Sequence, residues 1–359
     1  MAWLKVAALA AAGFARCVSR RSFSSRRLPA GGARNTMETV KVILNPYAGR
    51  GLGRRVSGEI RAAFERGGVP YELVETTAAG EATALARGAR VDGFAVVAAG
   101  GGGDGTIHEV VNGLAEATPE DEVVTGLALL PAGSGNDFAD VVGIPHGYDE
   151  AVDAIRQGRT RRVDLGRVEA FDGRNTVRRY FDNNLGVGFE AQVTVESGKI
   201  KRLRGFAIYL WAVLRALRAY EQPHFELGWT DGEDAAHQAS KRMLLISVGN
   251  GSRVGGGFYL TPDAVMDDGL LDLTFVDALS RFRILRLLPR AMTTTGLHGQ
   301  KPVRFGKLRS ARITARQPVP VHADGEILSQ AVEMLTVTVE PGRLQIVGVS
   351  PVSGGLRAG

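Results

Sequence analysis

A single cysteine in 359 residues excludes an intramolecular disulfide framework and any cysteine-based zinc cluster, and it fits a reducing compartment. No two of the six histidines stand at a spacing typical of zinc sites, so any bound metal falls to oxygen donors. No apolar run reaches the roughly 18 residues that a membrane-spanning helix requires. With 44% hydrophobic residues, 23% charged residues and a mean hydropathy near zero, the composition is that of an ordinary globular chain. Acids are absent from the first stretch: none precedes Glu38, whereas residues 1–36 carry Lys5, Arg16, Arg20, Arg21, Arg26, Arg27 and Arg34. These seven cations account for the whole positive excess, since without them +6 becomes −1, and a general nucleic-acid-binding reading loses its support.

That first stretch joins the weakly apolar MAWLKVAALAAAGFA to the Ser- and Arg-rich VSRRSFSS. Two readings stay open: an organelle transit peptide, which implies a mitochondrial or plastid location, or an upstream extension of a reading frame that starts at Met37. The second implies a cytoplasmic protein or one peripheral on the inner membrane face. A secretory signal is disfavoured because the arginines follow the apolar run.

From Val40 onward short β-branched runs alternate with helical patterns. KVILN, YELVET, FAVVAAG and LALLPAG read as strands, and helices are expected over 56–67, over 81–88 and in IHEVVNGLAE. This alternation predicts a Rossmann-like three-layer α/β domain over 37–162, a parallel sheet covered on both faces. Beyond it Thr, Val, Tyr and Phe alternations broken by glycine, such as RRYFDNNLGVGFEAQVTV and EMLTVTVEP, predict an antiparallel β-sandwich over 163–349, with a flexible tail at 350–359. Helical patterns interrupt it over about 198–220 and 281–295.

The strongest local feature is Gly100-Gly101-Gly102-Gly103-Asp104-Gly105-Thr106, set between a buried strand and a helix. Consecutive glycines let backbone approach a polyphosphate, and the following helix turns N–H groups toward it. The loop lacks the Gly-Lys-Ser/Thr ending of a Walker loop and the spaced glycines of a dinucleotide fingerprint. A carboxylate beside phosphates suits positioning of Mg²⁺ or of an acceptor hydroxyl. Two more small-residue turns end parallel strands at the same sheet edge: Asn45-Pro46-Tyr47-Ala48-Gly49, and Pro131 to Asp137 with Ser134 and Asn136. Later, DDGLLDL offers Asp267, Asp268 and Asp272, either as an exposed turn or as a hard-cation site. The Asp324-Gly325-Glu326 turn places two carboxylates where backbone can approach a ligand.

Together NPYAG, GGGGDGTIHEVVNG, LLPAGSGNDFA, SVGNG, GGGFYLTPDAVMDDGLLDL and HADGE resemble the diacylglycerol-kinase catalytic family, which includes sphingosine and ceramide kinases, from Val40 to about Val349. The resemblance implies a nucleotide site for ATP on Asn45, Pro46, Tyr47, Ala48 and Gly49, on Thr76 four residues before Gly80, on Gly102, Gly103, Asp104, Gly105, Thr106, Ile107, His108 and Glu109, and on the hydroxyl of Ser134. It implies a structural Mg²⁺ on Asp268 with the carbonyls of Val265 and Leu270, and catalytic carboxylates at Asp324 and Glu326, with Asp104 and Mg²⁺ organising the γ-phosphate. His108 departs from the family's usual Asn, which opens a pH-dependent nucleotide affinity.

The expected reaction is ATP- and Mg²⁺-dependent phosphorylation of a lipid hydroxyl, diacylglycerol or a related glycerolipid or sphingoid lipid, presented at a membrane surface. A nicotinamide-dinucleotide kinase and a non-catalytic nucleotide- or lipid-binding protein of the same fold remain as alternatives. KIKRLRGFAIYLWAVLRALRAY places Phe206, Tyr209, Leu210, Val213, Leu214, Leu217 and Tyr220 at helical spacing among Lys199, Lys201, Arg202, Arg204, Arg215 and Arg218. That stripe is equally a core face or a basic amphipathic surface for an anionic membrane, and RFRILRLLPRAM carries the same ambiguity.

Overall fold

The computed structural model describes residues 38–132, 136–200 and 206–350. The N-terminal extension 1–36, Ser134, Lys201, Arg202, Arg204 and the tail from 351 lie outside the described residues. From Met37 the chain forms one compact unit.

Four strands, β1 (Val40–Leu44), β2 (Tyr71–Glu75), β3 (Val96–Gly100) and β4 (Val124–Leu130), pair in parallel in the spatial order β4-β3-β1-β2. Their period-2 alternation divides the core. Ile43, Val97, Ala99, Leu127 and Leu129 face α2 (Glu81–Val91) and α3 (Asp104–Glu116). Val40, Val42, Leu44, Ala98, Ala128 and Leu130 face α1 (Ala48–Gly67) and α5 (Tyr148–Arg156), which follows the short α4 (Asp137–Val142). Both faces are covered, as the apolar runs require. Helix α1 starts at Ala48 rather than near Val56, because Asn45 Oδ1 accepts the N–H groups of Tyr47 (3.0 Å) and Ala48 (3.2 Å) and so organises the first turn through the glycines that read as a loop.

The second half is antiparallel: β5 (Thr160–Phe171), β6 (Thr176–Phe181), β7 (Asn184–Gly188), β8 (His224–Thr230), β9 (Ala236–Gly249), β10 (Leu271–Asp277), β11 (Val303–Leu308), β12 (Ser310–Ala323) and β13 (Glu326–Val347). Its interior is built from Phe181, Leu185, Val187, Phe225, Ile246, Leu273, Ile313, Val321 and Leu335. FEAQVTV, read as part of a strand, instead forms α6 (Phe189–Gly198): Gly188 at φ 82° ends β7, and Phe189, Ala191, Val193 and Val195 are buried. Helix α7 (Phe206–Ala219) and α8 (Arg281–Leu287) pack with α6 in a further apolar cluster outside the sandwich interior.

The halves are joined by β13. Its first part pairs antiparallel with β12, while Leu344, Ile346 and Val347 pair in parallel with β4. The chain's last strand thus completes the first sheet, and the expected boundary at 162/163 falls inside β5, which runs along β13. Alternation identifies a strand but not its partner, so this return was not readable from pattern.

Candidate active site

The glycine loop follows β3 and opens α3. Gly101 stands at φ 68°, and a Cβ on Gly102 would lie 2.1 Å from Thr106 Oγ1, so side chains are excluded where the backbone folds back. The first N–H groups of α3, on Asp104 and Gly105, have no intrahelical acceptor and form the anion-facing end. Asn45 Nδ2 donates to Thr106 Oγ1 (3.1 Å), locking the first turn to the second. Gly53 of α1 is pressed against both, since its Cβ would lie 2.0 Å from the Asn45 carbonyl oxygen and 2.5 Å from that of Gly101.

Several residues of the expected nucleotide set are engaged within the protein itself. Thr76 is buried beside β1, its N–H donating to the Leu44 carbonyl (2.9 Å). Ile107 is a core side chain, and only its backbone belongs to the loop. Glu109 is spent on α2, accepting the N–H groups of Gly80 (3.0 Å) and Ala82 (3.1 Å). Tyr47 is exposed, with the Arg54 guanidinium over its ring.

Asp104 accepts the N–H groups of Asp137 (3.3 Å) and Phe138 (3.4 Å) at the start of α4. Burial, and next the Asp137 carboxylate, push its carboxyl up to about 6, against the pull of those two N–H donors. Asp137 in turn accepts the Gly256 N–H (2.8 Å) and pairs with Arg253, so the β9–β10 connection closes over α4.

The Asp324-Gly325 turn links β12 to β13, both residues at positive φ (49° and 86°) as a tight hairpin demands. Asp324 itself is sealed, its side chain 2% exposed. Oδ1 accepts the N–H groups of Asn183 (3.0 Å) and Asn184 (2.8 Å), and Oδ2 that of Asp182 (3.1 Å) and the His108 Nδ1–H (2.9 Å). Burial opposes its charge, but the His108 bond and the amide donors outweigh it and hold the carboxyl below its usual range. Neighbouring Asp182 is driven well above its usual range, first by burial and then by the Asp324 charge. Asp182, His108 and Asp324 offer atoms within 4.8 Å of one another, and the donors around Asp324 draw them into one hydrogen-bonded network.

His108 therefore does not face the nucleotide. Its buried ring, bonded to Asp324, joins α3 to the sandwich, which corrects the expectation of a pH-sensed nucleotide contact. Of the two expected catalytic carboxylates, Asp324 and Glu326, Asp324 is fully engaged, whereas Glu326 is exposed at the hairpin, its Oε1 3.4 Å from the position of a Cβ on Gly105. Asp182 and the amides of Asn183 and Asn184 were missed; the one signal was an acid and two Asn, FDNN, ahead of the glycine-alternating strand.

The residues expected to hold a structural Mg²⁺ do not fit it as arranged. Asp268 Oδ2 is paired with Lys307 (2.5 Å), Oδ1 accepts the Leu270 N–H (3.1 Å), and Lys307 also reaches Asp272 (3.5 Å), its cross-strand partner in β10 and β11. Asp267 pairs with Arg161, and Val265 is exposed. One ammonium, that of Lys307, stands against both Asp268 and Asp272 and offsets part of their charge.

Beyond Gly188, an apolar cavity of about 70 Å³ lies among α6, α7, α8 and the sheet, lined by Phe189, Val213, Leu244, Phe258, Val276 and Leu288, with Glu190 as its one acidic side chain. Five-residue β7 connects it to the site: Asn184 binds Asp324 at one end and Gly188 leads into the cavity at the other, about 13 Å away at strand rise.

The comparisons agree with this construction. Residues 39–168 match the diacylglycerol kinase catalytic domain, and 183–348 the YegS C-terminal NAD kinase beta sandwich-like domain. The chain is 30% identical to a diacylglycerol kinase of Bacillus subtilis over 81% of its own length and 90% of that protein. It is 34% identical to a YegS-like probable lipid kinase of Chromohalobacter salexigens over 76% and 81%. A crystal structure of a diacylglycerol kinase from Bacillus anthracis shares the fold at a TM-score of 0.65, with 24% identity, covering 89% of this chain and 99% of that one. Fold and site together define a lipid kinase. The chain belongs to the diacylglycerol kinase catalytic family.

Two outcomes are expected. His108→Ala, which strips a donor from buried Asp324, should cost about 1–3 kcal/mol in urea melts, and His108→Asn should recover part of it. Thermal melts without nucleotide should superimpose in EDTA and in Mg²⁺; a rise with Mg²⁺ that Asp268→Asn abolishes would place a cation at Asp268.

Proposed function

We propose that this kinase transfers the γ-phosphoryl group of Mg·ATP to a hydroxyl of a glycerolipid of the diacylglycerol type or of a sphingoid lipid, with Asp104 as proton acceptor. The observation that carries this reading is the meeting, at one sheet edge, of the glycine cradle, the raised Asp104 carboxyl and a hairpin whose supporting strand leads to an apolar cavity. The nucleotide phosphates lie against Gly102, Gly103 and the α3 N-terminus. The lipid hydroxyl oxygen bonds to the γ-phosphorus, the bond to the bridging oxygen breaks to release ADP, and the proton passes to Asp104. Phosphoryl transfer runs through a loose transition state, so alignment counts for more than base strength. Asp324 positions the hairpin, and Glu326 stands at its mouth.

The lipid reaches the site from a bilayer. No helix among the described residues is long and apolar enough to cross one. Helix α7 buries Ala212, Val213, Ala216 and Leu217 and exposes Leu210, Trp211 and Leu214, so the stripe is divided, Val213 and Leu217 facing the core and Leu210 and Leu214 facing outward. Beside it α8 exposes Phe282 and Leu285, flanked by Arg281, Arg283 and Arg286, and Arg281 donates to the Arg218 carbonyl (3.2 Å). Apolar side chains ringed by cations suit an anionic interface, and these helices also wall the cavity.

Asp104→Asn should reduce turnover by at least about a hundredfold without loss of fold. Because Asp104 acts ionised and sits at about 6, wild-type kcat/KM should fall as pH drops through about 6, and Asp137→Asn, which removes the neighbouring charge, should move that limb to lower pH. An unshifted limb would assign the titration to another group. In sedimentation with phosphatidylglycerol-containing vesicles, Trp211→Glu with Phe282→Glu should abolish co-pelleting while phosphorylation of a short-chain acceptor in solution persists.

A further inference from the structure

The acidic side chain in the cavity wall has no part in the reaction so far described. Glu190, at the first turn of α6, is 7% exposed, and its Oε2 has no hydrogen-bond partner among the described residues. Its other oxygen lies 3.5 Å from His322 Nε2. His322 Nδ1 accepts the Gly325 N–H (3.2 Å), so the ring proton is on Nε2, the nitrogen on the Glu190 side. One imidazole ring thus separates Glu190 from the hairpin that carries Glu326. The arrangement is built in: a Cβ on Gly186, which faces His322 across the β7–β12 ladder, would lie 2.3 Å from His322 Nε2 and 2.7 Å from Glu190 Cδ. Tyr209 also lines the cavity, close enough for Glu190 to join burial in holding its hydroxyl above the usual range.

A buried carboxyl oxygen with no donor is costly, and a leucine there would fill the apolar wall without that cost. An unpartnered carboxyl oxygen on a side chain of the cavity wall, with an imidazole beside its twin, is available to a donor that arrives with a ligand. We propose that Glu190 is a specificity-determining residue that accepts a hydrogen bond from a second donor on the acceptor lipid, a hydroxyl, amide N–H or ammonium next to the hydroxyl that is phosphorylated. A diacylglycerol has a single hydroxyl and leaves Glu190 unanswered. A monoacylglycerol, a glycerol headgroup, a ceramide or a sphingoid base answers it. This rests on the lipid-kinase reading of the site and narrows its substrate class.

The test pairs binding with turnover. Mixed micelles containing monoolein, diolein or ceramide are offered to the wild-type protein and to Glu190→Gln, which keeps the shape but removes the charge and one of the two acceptor oxygens. Wild type should bind monoolein and ceramide about tenfold or more tighter than diolein, with the difference in KM and not in kcat. Glu190→Gln should erase that difference, monoolein and ceramide losing affinity relative to diolein. Should Glu190→Gln fail to fold, Glu190→Asp, which withdraws the carboxyl by one methylene, should weaken the preference in the same direction. Equal binding of the three lipids by wild type, or an equal loss for all three in the variant, overturns the proposal. Discriminating binding with no phosphorylated product would leave Glu190 in its role and overturn the kinase reading instead.

Discussion

Asp324 is the point on which both halves of the protein depend. Its carboxylate gathers three consecutive amides from the approach to β7 and the imidazole of α3, so a hairpin, a strand and the helix behind the glycine loop converge on two oxygen atoms. Charge-assisted bonds of this kind are stronger than neutral ones, and within a buried setting they are scarcely screened. Burial and the Asp324 charge raise the Asp182 carboxyl alongside, so negative charge is favoured on Asp324, where the imidazole and amides satisfy it. A second ionised carboxylate there would be repelled by the first.

That cluster sets the division of labour among the acids. Asp324 has no lone pair to spare for a proton in flight, so the structural load and the chemical one fall on different carboxyls. Asp104, lifted by burial and by Asp137, is matched to proton transfer near neutral pH, while Glu326 stays at the exposed mouth. The sequence motif lists these residues side by side without ranking them; only donor counts and exposure separate their roles.

The parallel sheet, its covered faces and the glycine cradle were legible because they follow from local patterns: alternation, loop glycines and helix starts. What escaped depends on contacts distant in sequence. His108 looked like part of the nucleotide loop, yet its partner is 216 positions away. Glu109 is consumed by α2. The acid-rich DDGLLDL turn looked like a cation site until Lys307, contributed by another strand, was brought against it. Helix α6 was misread as a strand because FEAQVTV satisfies both periods, and the positive φ of Gly188 decides between them. Ser134 and the basic run around Lys201, Arg202 and Arg204 lie outside the described residues.

The return of β13 to β4 bears on how the chain is made. During synthesis the nucleotide sheet emerges first, but its β4 edge acquires a neighbour only when Leu344–Val347 has left the ribosome. Until then Leu127 and Ala128 belong to an open edge, the kind of surface that pairs with whatever strand is near. Completion of the first sheet therefore waits on synthesis through Val347, and the two halves, separable on paper, form a single unit of biogenesis in which a stop before Leu344 damages the part built at the beginning.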